Sequence, residues 1–214
     1  MNGQHRPASI RRERHPDDGH PDDGHPDDDP GDPDSVARAI CLRLLTVQPR
    51  TRAELATALA RRGVPDDAAE RVLGRFAEAG LVDDQAFADA WVGSRQVGRG
   101  LARRALASEL RRRGVDAPTV DAAVATVDGG AEEEMARTLV RRRLAVTRQL
   151  EPAVRVRRLV GMLARKGYPS SLAFRVVREE ITAAGLAGSD LLDDHDLQGV
   201  DLDADAMERN MDVE

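Results

Sequence analysis

Apolar residues recur at helical spacing across residues 35–187, and no stretch keeps the two-residue alternation of a half-buried strand for long. Ala37, Ile40, Cys41, Leu44 and Leu45 mark one helical face. Leu55 and Leu59 mark a second, and Ala68, Val72 and Phe76 a third. The pattern then restarts with Phe87, Ala88, Trp91 and Val92, then Leu101, Ala105, Leu106 and Leu110, then Val120 and Val124. A third round runs through Met135, Leu139 and Val140, then Val156, Leu159, Val160 and Leu163, then Leu172, Val176 and Ile181. Nine helices in three rounds are expected.

The middle helix of each round closes on one phrase: Leu59-Ala60-Arg61-Arg62-Gly63-Val64, Leu110-Arg111-Arg112-Arg113-Gly114-Val115, and Leu163-Ala164-Arg165-Lys166-Gly167-Tyr168. Its glycines lie 51 and 53 residues apart. Glycine suits a helix C-cap because it enters the left-handed region without a Cβ penalty. Self-similarity at such a period is the mark of tandem supersecondary units. The expected fold is therefore all-α: three tandem three-helix repeats over 35–82, 83–130 and 131–187, forming a curved, elongated body.

Local signals place the joints. Thr51-Arg52-Ala53-Glu54 is a capping box. Pro65 suits a first helical turn, where its missing N–H costs little, and Asp83 is the expected N-cap of the fourth helix. Gly98 and Gly100 bracket a turn. Pro118 opens a short helix through Val127, which Gly129-Gly130 is expected to break. Glu132, Glu133 and Glu134 suit the positive end of the next helix, and Gly185 ends the last.

Charge divides the chain further. Residues 1–34 carry four Arg and ten acids, and residues 188–214 one Arg and ten acids. The totals of 32 basic and 38 acidic residues leave 27 basic against 18 acidic in 35–187, a net of +9 for the body. The leader repeats His-Pro-Asp-Asp from His15 to Asp29 and has almost nothing to bury, so 1–34 and 188–214 are expected to be disordered acidic tails. The His and Asp of the leader are read as a solvated tail rather than a metal site. Aromatic residues make up 2% of the chain, so cores must be built from Leu, Val and Ala. No run of 18 apolar residues occurs and the N-terminus has no apolar signal region, so neither a membrane span nor secretion is expected. A single cysteine, Cys41, fits a reducing cytoplasm and a buried structural thiol.

Catalysis finds little support. All five histidines, His5, His15, His20, His25 and His195, lie in the tails, so the body lacks the usual general base near neutral pH. There is no phosphate-cradling glycine loop followed by Lys and no paired Cys. Asp83-Asp84 reads as a helix cap rather than a metal pair. No catalytic residue, metal or cofactor is expected.

The positive signal is arginine. Arg95, Arg99, Arg103, Arg104, Arg111 and Arg112 in the second unit, and Arg141, Arg142, Arg143, Arg148, Arg155 and Arg158 in the third, are the candidate contacts for a polyanion or an acidic protein groove. Arginine meets phosphate through two parallel hydrogen bonds. Units with a sharp inter-helix turn invite comparison with helix-turn-helix DNA readers. Yet Asp66, Asp67 and Glu70, Asp116 and Asp121, and Glu179 and Glu180 occupy or flank the would-be recognition helices, which argues against reading a major groove. Trp91, at helical spacing with Phe87, is read as core rather than as a base-stacking platform.

Leu81-Val82-Asp83-Asp84, Phe87-Ala88, Arg95, Gly100, Arg103-Arg104, Leu110 and Gly114-Val115 together resemble the central signature of the RecX family of recombination regulators. Thr51 to Leu55 with Gly63-Val64, and Leu163 to Tyr168 with Phe174 to Val177, agree on either side. The resemblance covers about residues 35–184 and is of the actinobacterial type, with Arg where the family often has Lys. The leader and the acidic C-terminal tail depart from it. The resemblance implies a cytoplasmic, monomeric modulator that lies along the RecA–single-stranded DNA filament and inhibits ATP hydrolysis, strand exchange and coprotease activity. DNA phosphates are a further expected contact. It implies no catalytic residues. The competing expectation is a stand-alone DNA-binding helical regulator.

Overall fold

The computed structural model describes residues 31–190. Among them are nine helices: α1 (Pro33–Val47), α2 (Arg52–Ala60), α3 (Asp66–Glu78), α4 (Asp84–Arg99), α5 (Arg103–Arg112), α6 (Ala117–Ala125), α7 (Gly129–Thr147), α8 (Pro152–Arg165) and α9 (Ser170–Ala183). They form three modules of three, and the described residues contain no strand. The expected disorder of 1–30 and 191–214 lies outside the described residues.

Each module has its own core. The first packs Cys41 of α1 against Leu55 and Leu59 of α2 and Val72, Leu73 and Phe76 of α3. The second joins Phe87 and Val92 to Leu106, Leu110 and Val120. The third joins Val140 and Leu144 to Leu159, Leu163, Val176 and Ile181, and takes in Ala102 from the module before it. Cys41 is fully buried, and burial pushes its thiol pKa up, away from reactivity.

Caps start most helices. The Thr51 hydroxyl accepts from the Glu54 amide at 3.1 Å, and Glu54 reaches back to the Thr51 amide at 3.4 Å, completing the capping box. Asp83 accepts from the Ala86 amide at 2.9 Å and Asp128 from the Ala131 amide at 2.8 Å. The repeated phrase ends the middle helices identically. Val64, Val115 and Tyr168 donate their amides to Leu59, Leu110 and Leu163, and Gly63, Gly114 and Gly167 to Ala60, Arg111 and Ala164. This 6→1 and 5→2 pattern satisfies carbonyls that a helix end otherwise leaves open.

Several expectations are corrected. Gly98 and Gly100 do not bracket a turn: Gly98 lies inside α4, and Gly100 (φ 61°) alone caps its end. Gly129 and Gly130 do not break a helix; they are the first residues of α7, because Asp128 caps it and a first turn has no intrahelical amide bonds to lose. Pro65 sits one place earlier than expected, as the N-cap of α3. The acidic leader also ends sooner than expected: α1 begins at Pro33, and Asp34 is 4% exposed, held by Arg71 at 2.7 and 3.1 Å. At the other end Gly188 belongs to the body, lying against Pro152 and Val156.

Candidate functional site

The principal helix pairings all fall inside a module, so the modules meet at helix ends. Two joints of nearly the same design result. At the first, the α5 C-cap turn docks on the α2 N-terminus. The Thr51 hydroxyl donates to the Arg113 carbonyl at 2.6 Å, the Arg52 amide donates to Asp84 Oδ1 at 2.9 Å, and Arg113 pairs with Glu54 at 2.5 Å. At the second, the α8 C-cap turn docks on the α5 N-terminus. The Ala102 amide donates to the Lys166 carbonyl at 2.9 Å, the Arg103 amide to Glu132 Oε1 at 2.8 Å, and Arg103 Nε to Glu132 Oε2 at 3.0 Å. Each joint meets donors at one helix start with a carbonyl and a carboxylate from the next module: the carboxylate takes an open amide at both, while the carbonyl takes the Thr51 hydroxyl at the first and the Ala102 amide at the second.

Both joints need glycine. Gly114 (φ 79°) approaches so closely that a Cβ there would lie 2.3 Å from that of Ala53, and a Cβ on Gly167 (φ 83°) would lie 2.5 Å from the Ala105 backbone nitrogen. Gly63 (φ 74°), the same position in the first module, has nothing within 4 Å.

The last module is closed off differently. Pro152 at the first position of α8 has no amide proton to offer, and Glu151 caps the helix through the Val154 amide at 3.0 Å. Arg155 is buried at 4% exposure and donates to the carbonyls of Thr147, Arg148, Leu150 and Ala187. The expectation that Arg155 meets a partner is therefore withdrawn: it ties the loop before α8 to the segment after α9.

The other predicted arginines divide by what they face. Arg103 is committed to Glu132, Arg141 to Glu180 and Glu134, and Arg111 to Asp121 at 3.4 Å. Arg95 lies 4.0 Å from the Trp91 ring centroid and 3.7 Å from Glu109. Trp91 is half-buried, stacked on Phe87, its indole N–H donating to Glu109 at 2.8 Å; Arg113 also lies 3.8 Å from its ring. The indole thus holds the second module's edge and is not a bare platform. Of the Asp83-Asp84 pair, one carboxylate caps α4 and the other accepts the Arg52 amide.

Arg99, Arg104, Arg142, Arg143, Arg148 and Arg158 are exposed and form no ion pair with the described residues. Arg99 and Arg142 come together. A groove of about 540 Å³ between the second and third modules is lined by Arg99 and Arg112 at the ends of α4 and α5, Arg142 on α7, and Arg165 and Lys166 at the end of α8. Its apolar lining is Val97, Leu101, Met135, Leu139 and Met162, and its one acid, Glu109, faces Trp91 and Arg95. Lys166 donates to the Arg99 carbonyl at 2.5 Å, and burial, with the Arg99 charge beside it, pulls the lysine pKa down. Helix C-termini favour the cations here, yet the groove remains strongly positive.

Sequence reasoning passed over Arg165 and Lys166. The available signal was the repeat itself, since Arg165-Lys166-Gly167 occupies the place of Arg112-Arg113-Gly114.

Models of the first, second and third RecX three-helix domains match residues 37–76, 83–124 and 131–177. A protein of Thermobifida fusca named Regulatory protein RecX is 62% identical over 157 residues, covering 73% of this chain and 85% of its own. One so named from Streptomyces coelicolor is 59% identical over 156 residues, covering 73% and 83%, and one from Mycolicibacterium vanbaalenii 52% identical over 151 residues, covering 68% and 82%. The crystal structure of RecX from Lactobacillus salivarius superposes with a TM-score of 0.63 at 17% identity, covering 70% of this chain and 97% of that one, which is a likeness of fold. With three domain models in order, relatives of this identity and nine helices in three modules, the chain belongs to the RecX family.

Proposed function

We propose that this chain is a cytoplasmic regulator of the RecA recombinase that acts by binding the RecA–single-stranded DNA filament as a monomer. In this reading it inhibits ATP hydrolysis, strand exchange and coprotease activity, and performs no chemistry of its own. Family membership supports the choice of partner, since the relatives carry the name Regulatory protein RecX. The observation that carries the mode of action is the positive groove between the second and third modules, with Arg99, Arg142 and Arg165 at its rim. Exposed guanidinium groups suit phosphate oxygens or acidic side chains, which they grip bidentately. The hydrogen-bonded joints set the spacing between these groups. A chain whose contacts are spread over several modules can bridge neighbouring RecA subunits and restrain the rearrangement that turnover requires. Inhibition requires tighter binding to one filament state than to another, because equal affinity would shift nothing.

The test is RecA ATPase on single-stranded DNA with the chain titrated in. Wild type inhibits, and the Arg99→Glu, Arg142→Glu, Arg165→Glu triple variant inhibits weakly at matched folding. No inhibition by the wild type would discard the reading. Binding to bare DNA that equals binding to RecA-coated DNA across a salt series would favour a stand-alone DNA-binding regulator.

A further inference from the structure

The same groove fits a segment of the chain itself. It gathers Arg99, Arg142, Arg165 and Lys166 around an apolar floor, with its one carboxylate turned to Trp91 and Arg95. Val97 on its edge is 80% exposed. A ligand for such a surface is acidic and carries aliphatic side chains. Residues 191–214 have that composition: nine acids against one arginine, interspersed with Leu191, Leu192, Leu197, Val200 and Leu202. The leader matches poorly, since Arg6, Arg11, Arg12 and Arg14 oppose its acids and it has few large apolar residues.

Position also favours the C-terminal segment. Gly188 lies against Pro152 at the start of α8, and the groove sits at the end of α8, 14 residues on. That helix is about 21 Å long at ~1.5 Å per residue. The 24 residues after Asp190 span up to about 80 Å when extended at ~3.3 Å each. The segment reaches the groove with length to spare.

We propose that residues 191–214 dock in the groove between the second and third modules, carboxylates on Arg142 and Arg165 and leucines on the floor of Leu139 and Met162. The segment thereby shields this positive groove from competing polyanions. Docking itself is independent of the proposed action on RecA. If that action is correct, the segment is an internal competitor that the filament must displace.

The experiment uses the full chain with Asn210→Cys carrying a nitroxide label; native Cys41 is fully buried and escapes labelling. Amide and methyl NMR signals of Val97, Leu139 and Met162 are expected to lose intensity, while those of Val47 and Leu81 in the first module do not. The loss is expected to disappear in the Arg142→Glu, Arg165→Glu variant, whose unchanged circular dichroism shows that it folds. It is also expected to fade at 1 M salt, where the screening length is about 3 Å. Mixing isotope-labelled chain without nitroxide with unlabelled chain carrying it separates the sources. Broadening in that mixture means that a second copy supplies the segment, and overturns the proposal. Broadening at other sites, or none, overturns it as well. Docking without any effect on RecA would leave this proposal standing and remove the functional one.

Discussion

Thr51 and Arg113 are 62 residues apart, yet the threonine hydroxyl that caps α2 donates to the arginine carbonyl that ends α5, at 2.6 Å. A single hydroxyl thus serves two helices in two modules, accepting from the Glu54 amide as it donates. Thr51→Ala is expected to remove cap and bridge together and to cost about 1–2 kcal/mol, at the upper end for a cap. Thr51→Ser, which keeps both bonds, is expected to cost little. Urea denaturation of the two variants checks this.

Glycine at the joints is expected to be far less replaceable than glycine at the open end. Gly63→Ala introduces only the left-handed backbone penalty of about 1–2 kcal/mol. Gly114→Ala and Gly167→Ala add collisions with Ala53 and Ala105, and overpacking costs a further ~1–3 kcal/mol. Equal destabilisation of all three variants would show that the joints yield.

Arg155 is expected to be structural. Its guanidinium reaches four carbonyls at 2.8–3.4 Å. Arg155→Ala leaves several of them open and is expected to cost about 3 kcal/mol or more, since bonds to charged donors contribute ~1.5–3 kcal/mol each. Arg155→Lys is expected to rescue only part, because an ammonium lacks the planar fork. Denaturation midpoints give the comparison.

Acid is expected to loosen the first module through Asp34. Hydrogen bonding from Arg71 outweighs burial and holds the Asp34 carboxyl below the usual carboxylate range. A carboxyl with a depressed folded pKa adds stability that is complete above its unfolded value of about 3.9. That contribution is lost as pH falls through the lower folded value. Stability measured from pH 6 to pH 2 should fall more steeply below pH 4 in wild type than in Asp34→Asn.

Groove and joint arginines are expected to separate by readout. Arg142→Glu should leave the unfolding free energy within about 0.5 kcal/mol, as for other surface changes, and flatten the salt dependence of polyanion binding. That slope changes by roughly 0.7 per single-strand phosphate lost. Arg103→Glu sets a carboxylate against Glu132 and should lower stability first. Titrations of oligonucleotide or RecA-coated DNA at several salt concentrations, beside melting curves, distinguish the two.

Local chemistry made much of this molecule legible. The Thr51 box, the Asp83 cap and the three glycine turns depend on residues a few places apart, and each is read from its own neighbours. Arginine partners are another matter. Arg103 finds Glu132 29 residues away, Arg141 finds Glu180 39 away, and Arg113 finds Glu54 59 away. A run of like charges cannot reveal which members such distant acids will claim. Arg155 was obscured in the same way, since its partners are backbone carbonyls, which carry no sequence signal. Gly129-Gly130 misled because glycine is a weak helix former in the interior, whereas a first turn after a strong Asp cap asks little of it.

Arg52 and Arg103 each present an amide to the module that follows, and at the corresponding helix start of the third module the Pro152 ring has no hydrogen there to give. A head-to-tail contact that never closes on itself generates open fibres. Replacing that donor with a ring removes one of the bonds by which a further module could be added in the same way.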